Sequence, residues 1–297
     1  MHICVCICTF RRPLLLKRLL DALEQQETAG LFTYSLVVVD NDGGESARAA
    51  VDEFSRGAKV ASVYEAEPRQ GIALARNKAV AAARGDFLAF IDDDEYPTGS
   101  WLLTLFKACR EFNADGVLGP VVPYFEQKPP EWIVKGKFWE RPRYSTGLHL
   151  DWHQCRTGNV LLRAALFEPT APAFRPEFMT SEDQDFFRRM IAKGHLFVWC
   201  DEAVTYEAVP ILRCRRSYLL KRALFRGTGV PDPIRTFGPV AVMKSFVALF
   251  VYTPLLPFAL IVDHATFMRT SVRLFDHAGR ILGLLGIRPI RQPYVTE

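Results

Sequence analysis

Phe87-Leu88-Ala89-Phe90-Ile91-Asp92-Asp93-Asp94-Glu95 decides the reading of this 297-residue chain. Five consecutive apolar residues spell a strand buried on both faces of a parallel sheet, and four carboxylates follow where it ends. Like charges this close repel, and each would be more stable in water or protonated. Mg²⁺ or Mn²⁺ removes the conflict, because these ions take carboxylate oxygens and substrate phosphates together. One or two acids after a core strand form an ordinary solvated loop. Four of them, at the strand end where open α/β sheets place ligands, predict a metal–diphosphate site.

Two more strand ends repeat that design. Val37-Val38-Val39-Asp40-Asn41-Asp42 is an apolar strand delivering polar groups, and Thr9-Phe10-Arg11 closes the strand at 2–10. In a doubly wound sheet these ends lie side by side and make one crevice. Between them the chain alternates. Helical spacing of leucines marks 12–26, a strand is predicted at 60–65, helices at 45–55, 71–83 and 100–112, and a strand at 116–124. Such alternation means parallel βαβ units with right-handed crossovers. Farther on, 160–162 and 195–200 read as strands and 181–191 as a helix, with Ser181 as its N-cap and three acids in its first turn. Residues 125–154 are a long excursion rich in Pro and aromatic side chains. Trp132, Trp139 and Trp152 are candidates either for stacking on sugar rings or for packing a lid.

Composition excludes several classes. Hydrophobic residues make up 49% and charged residues 24%, which describes a globular chain. A net charge of +4 is too mild to argue for nucleic acid, and neither a Gly-x-Gly-x-x-Gly nor a P-loop lysine motif is present. The seven cysteines form no CxxC pair, and Cys4, Cys6 and Cys8 alternate as small buried hydrophobes, so a reducing compartment is expected. The six histidines show no metal-binding spacing. The N-terminus lacks signal-peptide character, since its apolar run carries Thr9 and leads into Arg11 and Arg12.

Taken in order, CTFRRP, VVDND, GIALARN, FIDDDE, TGN and SEDQDFFRR resemble the inverting glycosyltransferases of family 2. Within that family the chain is similar to bacterial exopolysaccharide glycosyltransferases of the succinoglycan glucosyltransferase type. The resemblance covers about the first 230 residues. It implies a GT-A fold, a Rossmann-like, mostly parallel sheet with helices on both faces. A UDP-sugar donor, a polyprenyl-diphosphate-linked glycan acceptor and Mn²⁺ or Mg²⁺ come with it. By resemblance Thr9, Arg11 and Asp40 contact the nucleobase and ribose, and Arg76 contacts the nucleotide. Asp92 and Asp94 match the ends of the DxD motif, with Asp93 between them; Asp94 is the metal ligand and Asp92 lies toward the ribose. Asp183, in the pair with Glu182, matches the catalytic base. Where the family often has a His after the last strand, this chain has Tyr206-Glu207, so Glu207 is the substitute metal or phosphate contact.

That assignment agrees with the chemistry. Breaking the bond between anomeric carbon and phosphate leaves positive charge on the sugar and negative charge on the diphosphate. A cation at the DxD carboxylates stabilises the diphosphate, and a second carboxylate takes the acceptor's hydroxyl proton. Residues 213–226 hold six Arg and Lys and no acid, with Arg213 the first of them, and are read as a diphosphate clamp or an anionic-membrane contact. Residues 245–262 carry no charge, about 27 Å of straight helix, at the short limit for a bilayer. Basic residues on both flanks disfavour a single span. A monotopic attachment, or a re-entrant one broken at Pro254 and Pro257, is favoured over a span or a buried core pair. The domains expected are 1–230, with a nucleotide half to 124 and an acceptor half from 125, and a membrane-associating 231–297. The cytoplasmic face of the bacterial inner membrane is the expected place. The rival readings are a nucleotidyltransferase or phosphatase using the same acids, and a non-catalytic membrane-surface module.

Overall fold

The computed structural model describes residues 1–168 and 171–290. Its first half runs β1 (His2–Thr9), α1 (Pro13–Glu24), β2 (Thr33–Asp40), α2 (Arg48–Gly57), β3 (Ser62–Ala66), α3 (Ile72–Ala82) and β4 (Phe87–Asp92). These four strands are parallel neighbours in the order β3-β2-β1-β4. Then come β5 (Glu95–Pro97), α4 (Trp101–Glu111), β6 (Gly116–Leu118), β7 (Val121–Tyr124), α5 (Glu131–Lys135), β8 (Asn159–Arg163), α6 (Glu182–Ala192), β9 (Phe197–Trp199) and β10 (Thr205–Ala208). The sheet continues from β4 through β8, β6 and β9 to seven strands, with β8 antiparallel to both its neighbours. A second sheet of three strands has the order β5-β10-β7.

Helices cover both faces, and the period of two along the central strands explains how. Ile3, Val5 and Ile7 of β1, with Phe87, Ala89 and Ile91 of β4, face a core filled by leucines of α1 and by Trp101 and Phe106 of α4. The intervening Cys4, Cys6, Leu88 and Phe90 face the other core, against alanines of α3 and Phe186 and Phe187 of α6. Cys4 and Cys6 are buried as predicted, Cys8 near the strand end is only half-buried, and all seven cysteines are free.

The strand expected at 116–124 divides into β6 and β7, which belong to different sheets. Asn159 makes the break. Its Nδ2 donates to the carbonyls of Pro120 and Ala203, which pulls the chain out of the large sheet after Leu118. Ser181 is not a side-chain cap: its φ of 64° is left-handed, whereas a capping side chain needs an extended residue. Trp132 and Trp139 pack against neighbouring aromatic side chains. Trp132 lies edge-on to Phe138, and Trp139 is buried beside Tyr218, so the packed-lid alternative describes both.

The C-terminal part holds α7 (Arg216–Thr228), α8 (Pro233–Phe237), α9 (Pro239–Val262) and α10 (His264–Leu284). Residues 291–297 of the expected C-terminal region lie outside the described residues. The break expected at Pro254 and Pro257 does not occur, since α9 runs through both. Each proline removes one backbone donor from the ladder, and Thr253 Oγ1 adds a bond to the carbonyl of Leu249. Nor is α9 a core helix. Phe250 and Ile261 are 83% and 81% exposed, and α9 is the one described helix long and apolar enough to cross a membrane.

Candidate active site

A groove of about 730 Å³ opens where β1, β4 and the first turn of α6 meet. Thr9, Arg76, Asp92, Asp93, Asp94 and Glu182 line it, and so do Asp183 and Glu207. The acids expected to hold the leaving group and to take the acceptor proton therefore face one cavity.

The turn after β4 spends its carboxylates on named partners. Thr9 donates to Asp93 at 2.8 Å, and Arg12 donates to Asp93 at 2.8 Å and to Asp94 at 3.2 Å. Burial pushes Asp93 up to about 6 even so. Asp94 moves the other way: burial would raise it, but Arg213 at 2.7 Å and Arg12 hold it below the usual carboxylate range. Arg76, buried under the groove, pairs with Glu182 and lies 3.5 Å from Asp92. Burial pushes Glu182 up to about 7 against the pull of that guanidinium. Within the Glu182-Asp183 pair the roles separate. Glu182 is buried against Arg76, whereas Asp183 is half-buried in the groove wall and, among the described residues, accepts only the Gln184 amide, at 2.7 Å.

Three predicted contacts sit elsewhere. Asp40 has no exposed surface. Its oxygens accept from the amides of Asp42 and Ala47 and from the Tyr64 hydroxyl, fixing the loop after β2. Arg11 has φ +52°, which turns its side chain out to Asp42 at 3.1 Å. Arg213 lies behind the groove wall, bridging Asp94 and Glu207. In their place the groove presents Arg12 and Asn41. Asn41 bonds the carbonyls of Glu67 and Arg69 and the amide of Gly71, and so anchors the entry to α3. The loop at 125–154 adds Arg141, which donates to Glu207 at 2.6 Å. No sequence pattern pointed to Arg141, because its pairing with Glu207 spans 66 residues and exists only in the fold.

A divalent cation needs carboxylate oxygens that the surrounding guanidiniums leave open. Each oxygen of Glu207 already faces a guanidinium, Arg141 at 2.6 Å and Arg213 at 3.4 Å, so a cation there would compete with both. Asp94 differs, because Arg12 and Arg213 both approach its Oδ2, and among the described residues Oδ1 has no hydrogen bond. Glu95, 1% exposed, has neither oxygen partnered, and burial pushes it well above the carboxylate range. A Cβ at Gly158 would lie 2.7 Å from Glu95 Oε1 and 3.3 Å from Asp92 Oδ2, so glycine keeps the space beside both acids open. No three His, Cys, Asp or Glu side chains among the described residues form a ready metal cluster. The arrangement fits a hard cation held by one or two carboxylates, with substrate phosphate and water completing the shell, which is the habit of Mg²⁺.

Comparison with known proteins agrees with this geometry. The profile of Glycosyl transferase family 2 matches residues 4–168. Succinoglycan biosynthesis protein ExoM of Rhizobium meliloti is 32% identical over 309 aligned residues, covering 98% of this chain and 96% of that protein. Among solved structures, the mannosyltransferase PcManGT of Pyrobaculum calidifontis, in complex with GDP-Man and Mn²⁺, superposes with TM-score 0.65 at 18% identity. That match covers 95% of this chain and 86% of the other. TarS of S. aureus in complex with UDP-GlcNAc gives TM-score 0.55 at 16% identity, over 98% and 93% of the two chains. The fold is that of the GT-A glycosyltransferases, and by profile and by near full-length identity the chain belongs to glycosyl transferase family 2.

Proposed function

We propose that this chain is an inverting, metal-dependent glycosyltransferase of exopolysaccharide synthesis. It would move a hexose, glucose by preference, from a UDP-sugar to a polyprenyl-diphosphate-linked glycan. The observation that carries the reading is that Asp94 and Asp183 line one groove from separate elements, the turn after β4 and the start of α6. ExoM, by its name a succinoglycan biosynthesis protein, supports the pathway, and TarS with UDP-GlcNAc supports the donor class.

In this reading Asp94 and Asp92 hold Mg²⁺ or Mn²⁺, with Glu95 in reserve beside them, and the cation when bound supplies charge for the departing diphosphate. The protein's own groups do the rest. Arg12 and Arg141 keep positive charge beside the acidic turn, so a diphosphate meets a balanced wall. Arg76, clamped between Glu182 and Asp92, fixes the start of α6 relative to β4. Asp183 is then oriented to accept the acceptor hydroxyl's proton as that oxygen attacks the anomeric carbon from the face opposite the leaving group. Residues 1–230 form the catalytic part, and α9 attaches the chain to the cytoplasmic face of the bacterial inner membrane. Asp183→Asn tests the assignment: transfer should be abolished while calorimetric binding of UDP with Mn²⁺ stays within twofold. Undiminished turnover would remove Asp183 from the mechanism.

A further inference from the structure

Six arginines line the groove, and five are engaged. Arg12, Arg76 and Arg141 pair with the acids already described, Arg226 makes two bonds to Asp276, and Arg156 bonds the carbonyls of His153 and Cys155. Arg222 is the exception. Among the described residues its guanidinium has no hydrogen bond and no ion pair, and it lies 4.7 Å over the ring of Trp139.

The surroundings hold it in that state. Trp139 is buried and stacked on Tyr218 at 6.2 Å and 19°, within an apolar cluster that includes Ile133, Val209 and Leu219. A ring below the guanidinium keeps its plane fixed and leaves its N–H edge for another partner. The acid that acts on it is Glu207, whose two oxygens are already taken by Arg141 and Arg213. Burial works against the charge of Arg222, with no carboxylate contact to offset it. A rigid, forked cation in a groove wall suits an anion from solution, and the fork matches the oxygens of a phosphate.

We propose that Arg222 receives a phosphate group of a substrate, resting on the glycosyl transfer proposed above. Two sources carry that chemistry, the diphosphate of the nucleotide donor and the diphosphate of a polyprenyl acceptor. The position of α7 favours the acceptor. That helix packs on α10, which packs on α9, so Arg222 stands on the element joining the groove to the exposed apolar surface.

Binding to the full chain in detergent separates the sources without any transfer assay. Farnesyl diphosphate serves as a soluble polyprenyl diphosphate, and UDP with Mn²⁺ represents the donor. Arg222→Gln should weaken one probe about tenfold or more, the loss typical of a hydrogen bond to a charged group. Loss confined to farnesyl diphosphate assigns the acceptor, and loss confined to UDP assigns the donor. Changes below twofold for both overturn the proposal. Phenylglyoxal modification of Arg222 in the unmutated chain, followed by peptide mass spectrometry, decides the matter if the variant fails to fold. Slower modification with either probe supports the assignment, and an unchanged rate with both overturns it. Asp183→Asn should show the same protection, so a failure here is distinct from a failure of the catalytic reading.

Discussion

Arg213 donates to Asp94 at 2.7 Å with both side chains buried, and the same guanidinium reaches Glu207 at 3.4 Å. The contact ties the turn after β4 to β10, and so joins the large sheet to the small one. Removing one partner of a buried pair leaves the other charge stranded, commonly at 3–5 kcal/mol. Arg12 still reaches Asp94, so the lower end applies. Arg213→Met should reduce the unfolding free energy by about 3 kcal/mol in urea titrations. A loss of only ~0.5 kcal/mol would show that the pair behaves as an exposed one.

The separation of Glu182 from Asp183 predicts different failures for two adjacent acids. Asp183→Asn removes the proton acceptor, and kcat should fall by about 10²–10⁴ with melting temperature unchanged. Glu182→Gln weakens the buried bond to Arg76 and should lower both stability and kcat. Thermal melts alongside initial rates distinguish the two. Equal melting losses in both variants would contradict the division of roles.

Much of the fold was legible because it rests on periodicity. Alternation in β1 and β4 sends side chains to two cores, and the leucines of α1 recur at helical spacing. What escaped the sequence depends on single torsions and short elements. Arg11 and Arg12 are indistinguishable in composition, yet a φ of +52° turns the first outward and leaves the second for the acidic turn. Glu95 reads as the last acid of a loop, but it opens a three-residue strand too short to show a period. Arg141 reaches Glu207 across 66 residues of chain, a pairing that no local pattern encodes. Pro254 and Pro257 read as breaks, but a helix loses only one donor at each and can run on where its face is otherwise supported.

Glu95 has a consequence for pH. Its folded pKa is raised, so its contribution favours folding below its ordinary value of 4.5 and is lost as pH rises from there toward the folded value. Asp93, raised to about 6, acts in the same direction. Stability should therefore decline between pH 4.5 and neutrality in the absence of a cation. Glu95→Gln keeps the shape without the charge and should flatten that decline, which denaturant titrations across the range would record. A steeper decline in the variant would mean that the carboxylate has a stabilising partner.

Gly227 of α7 meets Gly279 and Gly283 of α10 at backbone distance. A Cβ at Gly227 would lie 2.3 Å from the Arg280 amide nitrogen and 2.3 Å from the Gly279 carbonyl carbon. Both neighbours are helix backbone and cannot step aside, so overpacking of about 1–3 kcal/mol is expected. Gly227→Ala should lower the melting temperature by roughly 2–6 °C, given the entropy of unfolding for a chain of this size. Unchanged melting would imply that the two helices are free to separate.

Membrane attachment through α9 predicts a dependence on one face. Met243, Phe250 and Ile261 are spaced seven and eleven residues apart, which places them along one stripe, and they are 68%, 83% and 81% exposed. The helix also packs along α10 and against α8, and the exposed stripe is the side left open. An in-plane helix buries such a stripe at the headgroup boundary, and each large side chain contributes about 1.5–3 kcal/mol. Phe250→Glu with Ile261→Glu should therefore reduce co-sedimentation with vesicles of phosphatidylglycerol and phosphatidylethanolamine at least tenfold. The double variant should keep UDP binding, because neither residue approaches the groove. Raising the salt concentration separates the two attractions, since it screens flanking Arg235, Lys244, Arg269 and Arg273 and leaves apolar burial intact. Wild-type binding that survives high salt while the double variant's does not would place the apolar stripe in the lipid. Equal sedimentation of the two chains would leave α9 outside the bilayer and turn its open face toward another protein.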